Sequence, residues 1–313
     1  MPFVIYILLA ITLLTIVSGG YIFFVACGRR KDLPWFDEKA LLKTPYGKHY
    51  NNILIGDKFL KDHDAQPVYM ESFDGVKLHA LWVPAKNPKG TMIFAHGYRS
   101  NKLVDFSLVF DMYHNWGMNI LVPDQRANGK SGGNYITFGV KESRDVACWI
   151  SYHNENFGKF PIILSGLSMG ASTVLYLADQ ALPDNVKGII ADCGFTSAKD
   201  IISKVFRESI HLPAVPSLWV TDLFARIFAG FSLTEKDTRI TLKNSKLPVL
   251  MVHGVDDDYV PCEMTRQGFA ACREPKELLL VEGAGHGVSF LVEQEKYTET
   301  VHAFLKKNVE GIL

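Results

Sequence analysis

At 313 residues the chain has room for one large domain or two small ones, and 48% hydrophobic with 21% charged residues marks it as globular rather than disordered. A formal charge of zero at pH 7 removes any overall basic surface of the kind that binds nucleic acid. The five cysteines (Cys27, Cys148, Cys193, Cys262, Cys272) are odd in number and contain no Cys-x-x-Cys, which argues against a disulfide framework and against a zinc site.

Residues 2–27 carry no charge. The run from Phe3 through Val17 to Val25 meets the requirement of about 20 apolar residues for a spanning helix, and it predicts a transmembrane anchor. A cleaved signal peptide begins with a basic segment, and none precedes this run. Positive charge follows it instead, at Arg29-Arg30-Lys31, and the positive-inside rule then assigns the bulk of the chain to the cytoplasm. Cys27, at the membrane edge, is a candidate for acylation. Residues 28–66 read as a linker. Leu33-Pro34-Trp35-Phe36 suits the membrane interface, and Tyr46 to Lys61, apolar at Tyr50, Ile53, Leu54, Phe59 and Leu60, predicts a short amphipathic helix.

The remainder, 67–313, reads as one α/β domain. Val68 to Ser72 and Val76 to Val83 flank Asp74-Gly75 and predict a hairpin. Short apolar runs predict strands at Thr91–Ala95, Asn119–Pro123, Ile162–Leu164, Val186–Ala191, Leu247–Val252 and Glu277–Val281. Helical spacing predicts helices at Leu103–Trp116, Val140–Asn156, Ala171–Ala178 and Phe290–Val309. Such alternation implies a mostly parallel sheet with helices on both faces. Residues 196–246 break the rhythm with Phe206, Trp219, Phe224, Phe228 and Phe231, and predict a helical cap over the C-terminal edge of the sheet, where ligands of open α/β sheets bind. Gly129-Lys130-Ser131 resembles the end of a phosphate loop, but that motif requires glycine where Asp124 stands, so nucleotide binding is rejected.

The chemistry centres on Gly166-Leu167-Ser168-Met169-Gly170, placed between an apolar strand and an apolar helix. Gly-x-Ser-x-Gly in that setting is a nucleophile elbow, in which a sharp corner presents the serine hydroxyl to a base. The Met169 N–H, at the helix start, is the first candidate oxyanion donor. His286 lies in a glycine-rich loop (Gly283, Gly285, Gly287) after the last strand and is the candidate base. The acid candidates are Asp256, Asp257 and Asp258, after the preceding strand, and their spacing is not that of a calcium loop. Chain order is thus Ser, Asp, His, with all three in loops leaving the C-terminal ends of strands.

On these residues, together with Ala95-His96-Gly97-Tyr98-Arg99-Ser100, Asp124-Gln125-Arg126 and His253-Gly254 through Val260-Pro261, the chain resembles the α/β-hydrolase-fold serine hydrolases. The branch it resembles contains serine aminopeptidases, BAAT-like acyl hydrolases and YqkD-type bacterial hydrolases, and the resemblance spans residues 68 to 308. It implies that Asp257 is the acid and that Tyr98 supplies the second oxyanion N–H. Asn128 departs from the small residue or histidine that many relatives place before the glycine.

The expectation is a membrane-anchored hydrolase that cleaves carboxylic esters with Ser168, Asp257 and His286, needs no metal or organic cofactor, and acts on a small or lipid-like acyl substrate. Thioester or peptide cleavage by the same residues is an alternative; a peptidase would show a carboxylate for the substrate amine, for which Glu208, Asp222 and Glu235 are available. A non-catalytic scaffold is a third reading, which the presence of all three side chains disfavours.

Overall fold

A computed structural model describes residues 2–44, 46–210 and 215–312. The long N-terminal helix α1 (Pro2–Cys27) is followed by the short α2 (Glu38–Leu41), a 3-10 turn, and α3 (Tyr50–Asp62). Strands β1 (Gln66–Glu71) and β2 (Lys77–Val83) form the hairpin about Asp74-Gly75. Then come β3 (Gly90–Ala95), α4 (Lys102–Asn115), β4 (Met118–Asp124), α5 (Val140–Asn156), β5 (Ile162–Leu167), α6 (Met169–Leu175) and β6 (Val186–Asp192). Helices α7 (Ala198–Ile210) and α8 (Val215–Phe224), a π-helical turn (Ala225–Ala229) and α9 (Thr238–Lys243) precede β7 (Val249–Gly254), α10 (Cys262–Ala271), β8 (Lys276–Val281), α11 (Ser289–Val292) and α12 (Gln294–Asn308).

The eight strands form one sheet in the order β1-β2-β4-β3-β5-β6-β7-β8. Pairing is antiparallel from β1 through β2 to β4 and parallel across the other five contacts. Successive side chains on a strand point to opposite faces, so both layers are fed by the same apolar run. On β3, Met92 and Phe94 join the layer containing Phe110 and Phe304, whereas Ile93 and Ala95 join Val146, Trp149 and Val174 on the other side. That two-sided burial is why the central strands read as continuous apolar stretches rather than alternating ones.

The structure departs from the sequence expectations at several ends. The elbow helix begins at Met169, immediately after Ser168, two residues before the apolar periodicity starts. The closing helix is divided at Glu293, whose φ of −132° and ψ of 59° are not helical. Residues 28–66 fold onto the body: Ile53, Phe59 and Leu60 of α3 share a core with α4 and the sheet. Leu33 and Trp35 turn inward toward a cleft, with the Trp35 ring edge-on to Tyr46 at 5.3 Å. Cys27 is fully buried, so it is no accessible site for an acyl group.

Helix α1 has two parts. From Phe3 to Val17 it is largely exposed along its length, whereas Gly19, Gly20, Ile22, Phe23 and Cys27 are buried against the body. Its partner there is α8. A Cβ on Gly19 would lie 2.5 Å from Val220 Cβ, so only glycine permits this approach. Ser18 Oγ and Ser217 Oγ are 2.7 Å apart, Thr221 Oγ1 lies 3.1 Å from the Gly19 carbonyl, and Phe24 meets Phe224 and Phe228. The two helices therefore run side by side in the same direction.

Candidate active site

Ser168 sits between β5 and α6 with φ 57° and ψ −117°, a left-handed conformation that costs a non-glycine residue energy and persists because its surroundings enforce it. The Ser168 N–H donates to the Asp192 carbonyl at 2.8 Å. The flanking glycines are needed for packing: a Cβ on Gly170 would be 1.7 Å from the Ala95 carbonyl oxygen, and one on Gly166 would be 2.1 Å from that of Gly170. Each would collide with backbone that cannot move aside.

The structure brings His286 to this corner. His286 Nε2 is 2.9 Å from Ser168 Oγ, and His286 Nδ1 is 2.7 Å from Asp257 Oδ2. Of the three neighbouring carboxylates, Asp257 alone is buried; Asp256 and Asp258 face solvent. The other Asp257 oxygen accepts from the Tyr259 and Val260 N–H groups at 2.9 and 2.8 Å. Burial acts to raise the Asp257 pKa, but the hydrogen bonds from His253 and His286 outweigh it and hold the carboxyl well below its ordinary value. It is thus a carboxylate at any pH at which a histidine base works.

Met169 opens α6, so its N–H is among those at a helix start with no intrahelical acceptor. Tyr98 approaches from the loop after β3: a Cβ on Gly97 would lie 3.4 Å from Ser168 Cβ. Asp105 pins that loop, accepting from Gly97 N–H and Ser100 Oγ, both at 2.6 Å. Ser168, His286, Tyr98, Asn128 and Tyr259 line a common cleft of about 430 Å³.

A family model described as serine aminopeptidase, S33, matches residues 86–222, a span that contains Tyr98 and Ser168 and ends before Asp257 and His286. The chain is 29% identical to the uncharacterized protein YqkD of Bacillus subtilis over 232 residues, covering 74% of this chain and 76% of that protein. Among solved structures, the Pyrococcus furiosus esterase Pf2001 superposes with a TM-score of 0.65 at 24% identity, over 80% of this chain and 94% of that one. The fold is that of the α/β hydrolases. The fold carries more than one activity: the chain also superposes on the Pyrococcus horikoshii acylaminoacyl peptidase with a TM-score of 0.56 at 17% identity, over 79% of this chain and 42% of that one.

Several residues that support the candidate site were given no role by sequence reasoning. His253 is a second imidazole on the acid, its Nε2 3.1 Å from Asp257 Oδ2 and its Nδ1 2.6 Å from Thr265 Oγ1. The sequence marks it only by its place before Gly254. Asp105 lies on α4, far in sequence from Ser168, and burial pushes its carboxyl up to about 6 against the hydrogen bonds from Gly97 and Ser100. His96 is scaffold rather than base: Nδ1 is bonded to the Gly97 carbonyl, Nε2 accepts from Gln125 N–H at 3.0 Å, and burial lowers its pKa to about 4.

Asp124 and Arg126, conspicuous in the sequence, also build rather than react. Asp124 binds His79 Nδ1 at 2.7 Å and pairs with Lys102. Arg126 donates twice to Asp145 at 2.6 Å and reaches Asp74 of the hairpin turn, a buried pair whose disruption strands a charge. The amine-binding candidates are turned to local work. Glu208 pairs with Lys204, Asp222 with Arg226, and Glu235 accepts from the Ser232 N–H; none lines the cleft among the described residues. Cys193 completes a cluster of possible metal donors with Asp257 and His286, all within 4.8 Å. Burial raises its thiol pKa well above the ordinary value, and both His286 nitrogens are engaged, so the donor set fits a hydrolytic relay better than a metal.

Proposed function

We propose that this α/β hydrolase is a membrane-anchored serine esterase acting on carboxylic esters. The observation that carries this is one imidazole spanning an elbow hydroxyl and a buried carboxylate, at 2.9 and 2.7 Å. Ser168 Oγ attacks the ester carbonyl while His286 Nε2 takes its proton. The Tyr98 and Met169 N–H groups stabilise the oxyanion. Collapse breaks the acyl–oxygen bond, and the imidazolium returns the proton to the departing alcohol. Water, deprotonated by the same imidazole, then attacks the acyl-Ser168 ester, releasing the acid and restoring the hydroxyl. Asp257 fixes the His286 tautomer and stabilises the imidazolium. These steps call on no metal or organic cofactor.

The anchor is α1, a helix long and apolar enough to cross a membrane. Its burial at Phe23 and Cys27 supports retention in the mature protein, because cleavage would uncover core residues. Residues 67–313 form the hydrolase domain, with 196–246 as its cap, and Arg29-Arg30-Lys31 favours a cytoplasmic domain. The substrate is small or lipid-like. The peptide alternative is weakened by the engagement of Glu208, Asp222 and Glu235 away from the cleft.

The test is hydrolysis of short nitrophenyl esters by the full chain, with fluorophosphonate labelling of Ser168 alongside. Ser168→Ala is expected to lower kcat by more than about a thousandfold. Turnover surviving in that variant, or a wild-type serine that refuses the probe, refutes the assignment.

A further inference from the structure

A second cavity, of about 360 Å³, lies beside the Ser168 cleft. One side is the end of α1, through Ile22 and Val25; the other is α7, through Ile202, Val205 and Phe206, with Phe138 between. Tyr98, Arg99 and Tyr259 line both spaces, so the cavity and the cleft share a wall. The remaining lining is almost wholly aliphatic or aromatic. It offers hydrocarbon contact and little to bind a polar group.

The anchor is joined to this wall by direct bonds. Tyr98 OH donates to the Ala26 carbonyl at 2.7 Å, and Arg99 Nη2 donates to the carbonyls of Val25 and Gly28 at 2.6 and 3.1 Å. These carbonyls lie in the last turn of α1 and, for Gly28, just past it, where a helix leaves acceptors free and favours a cation. The residue with the proposed oxyanion N–H is therefore tied by its own side chain to the membrane helix.

Depth follows from length. The exposed part of α1, residues 3–17, reaches about 22 Å at 1.5 Å per residue. A hydrocarbon core is about 30 Å thick, so α1 must continue into it past Ser18, alongside α8. Helix α8 and its π turn are suited to that depth: Trp219, Leu223, Ile227 and Phe228 are exposed beside α1. Tyr21 and Val25, which line the cavity, are exposed too. Its open side thus faces the lipid.

We infer that the cavity between α1 and α7 holds the hydrocarbon chain of an ester taken from the bilayer, making the membrane anchor part of the substrate site. The inference rests on the esterase reading above. The chain enters beside Tyr21 and Val25 and lies against Phe206. Tyr259, whose ring is 5.0 Å from that of His286, turns aside to let the carbonyl reach Ser168.

The test compares nitrophenyl acetate with longer esters on the full-length protein in detergent, below the micelle concentration of each substrate. Each added methylene is expected to raise kcat/KM by about fourfold until the cavity is full. Val205→Trp fills the cavity and is expected to cut decanoate turnover by at least about tenfold while acetate stays within about twofold. Phe206→Ala, which lengthens it, moves the preferred chain toward hexadecanoate. Acetate turnover reports folding in both variants. If it persists while neither variant changes chain preference, the acyl site is wrong and the esterase reading stands. If acetate hydrolysis is equal in wild type and Ser168→Ala, the esterase reading fails instead. Fluorescent cis-parinaric acid then tests the cavity without turnover: in the Ser168→Ala background, Val205→Trp should weaken its binding by about tenfold or more, and equal affinity overturns the site.

Discussion

Asp192 stands beneath Ser168 at the end of β6, buried, with Ser289 Oγ 3.2 Å from its carboxylate. Burial pushes its pKa up from an ordinary 3.8 to about 6, while His253, Ser289 and His286 act in the opposite direction. A raised pKa means that the folded chain binds the proton more tightly than the unfolded one. The stability from this group is therefore full below the unfolded value and is lost as pH rises through about 6. Above that the charged form costs on the order of 3 kcal/mol. Asp192→Asn is expected to raise unfolding free energy near pH 8, with the gain shrinking toward pH 4. A gain independent of pH, or a loss near pH 8, would contradict this account. The same residue shows where sequence reading stops. Ser168, Asp257 and His286 were legible because an elbow needs glycines at fixed spacing and strand-end loops converge. Asp192 acts through Ser168 and Ser289, distant in sequence, while Asp105 and His253 act on nearby residues through hydrogen bonds that no residue spacing announces.

At the scale of elements, strands were legible because burial on both faces leaves continuous apolar runs. Helix α6 was read two residues late, since Met169 and Gly170 show no periodicity of their own. The long apolar helix α1 was legible from charge-free length, but its docking on α8 was not: Gly19-Gly20 reads equally well as a helix in plain lipid. The contact makes a distinct prediction. Gly19→Leu drives a side chain into Val220 and the Ser217 carbonyl, 2.5 and 2.7 Å from the position of its Cβ. Overpacking of this kind costs about 1–3 kcal/mol. Melting of the full chain in detergent should fall for Gly19→Leu and hold for Ala10→Leu on the exposed stretch. Equal melting of the two would mean that α1 is not packed on α8.

For the whole molecule, the proposed anchor ends inside the body and would fix the orientation of everything after it. With Arg29-Arg30-Lys31 on the inner side, a fluorescent protein fused after Leu313 should fold and glow, and alkaline phosphatase fused there should stay inactive. The reverse pattern would put the domain on the outer face. Arg29 also bonds the carbonyls of Gly129 and Ser131, both at 2.7 Å, so a charge read as a topology signal stitches the anchor to the loop after β4 as well.

That stitching bears on how a water-soluble version can be made. Trimming the first 31 residues, the natural choice from hydropathy alone, strips Ile22 and Val25 from one chamber, Arg30 and Lys31 from the other, and the acceptors that tether Tyr98 and Arg99. Truncation is better placed just ahead of Ser18, with polar replacements at Tyr21, Trp219, Leu223 and Ile227, which removes the greasy exterior and leaves both chambers walled.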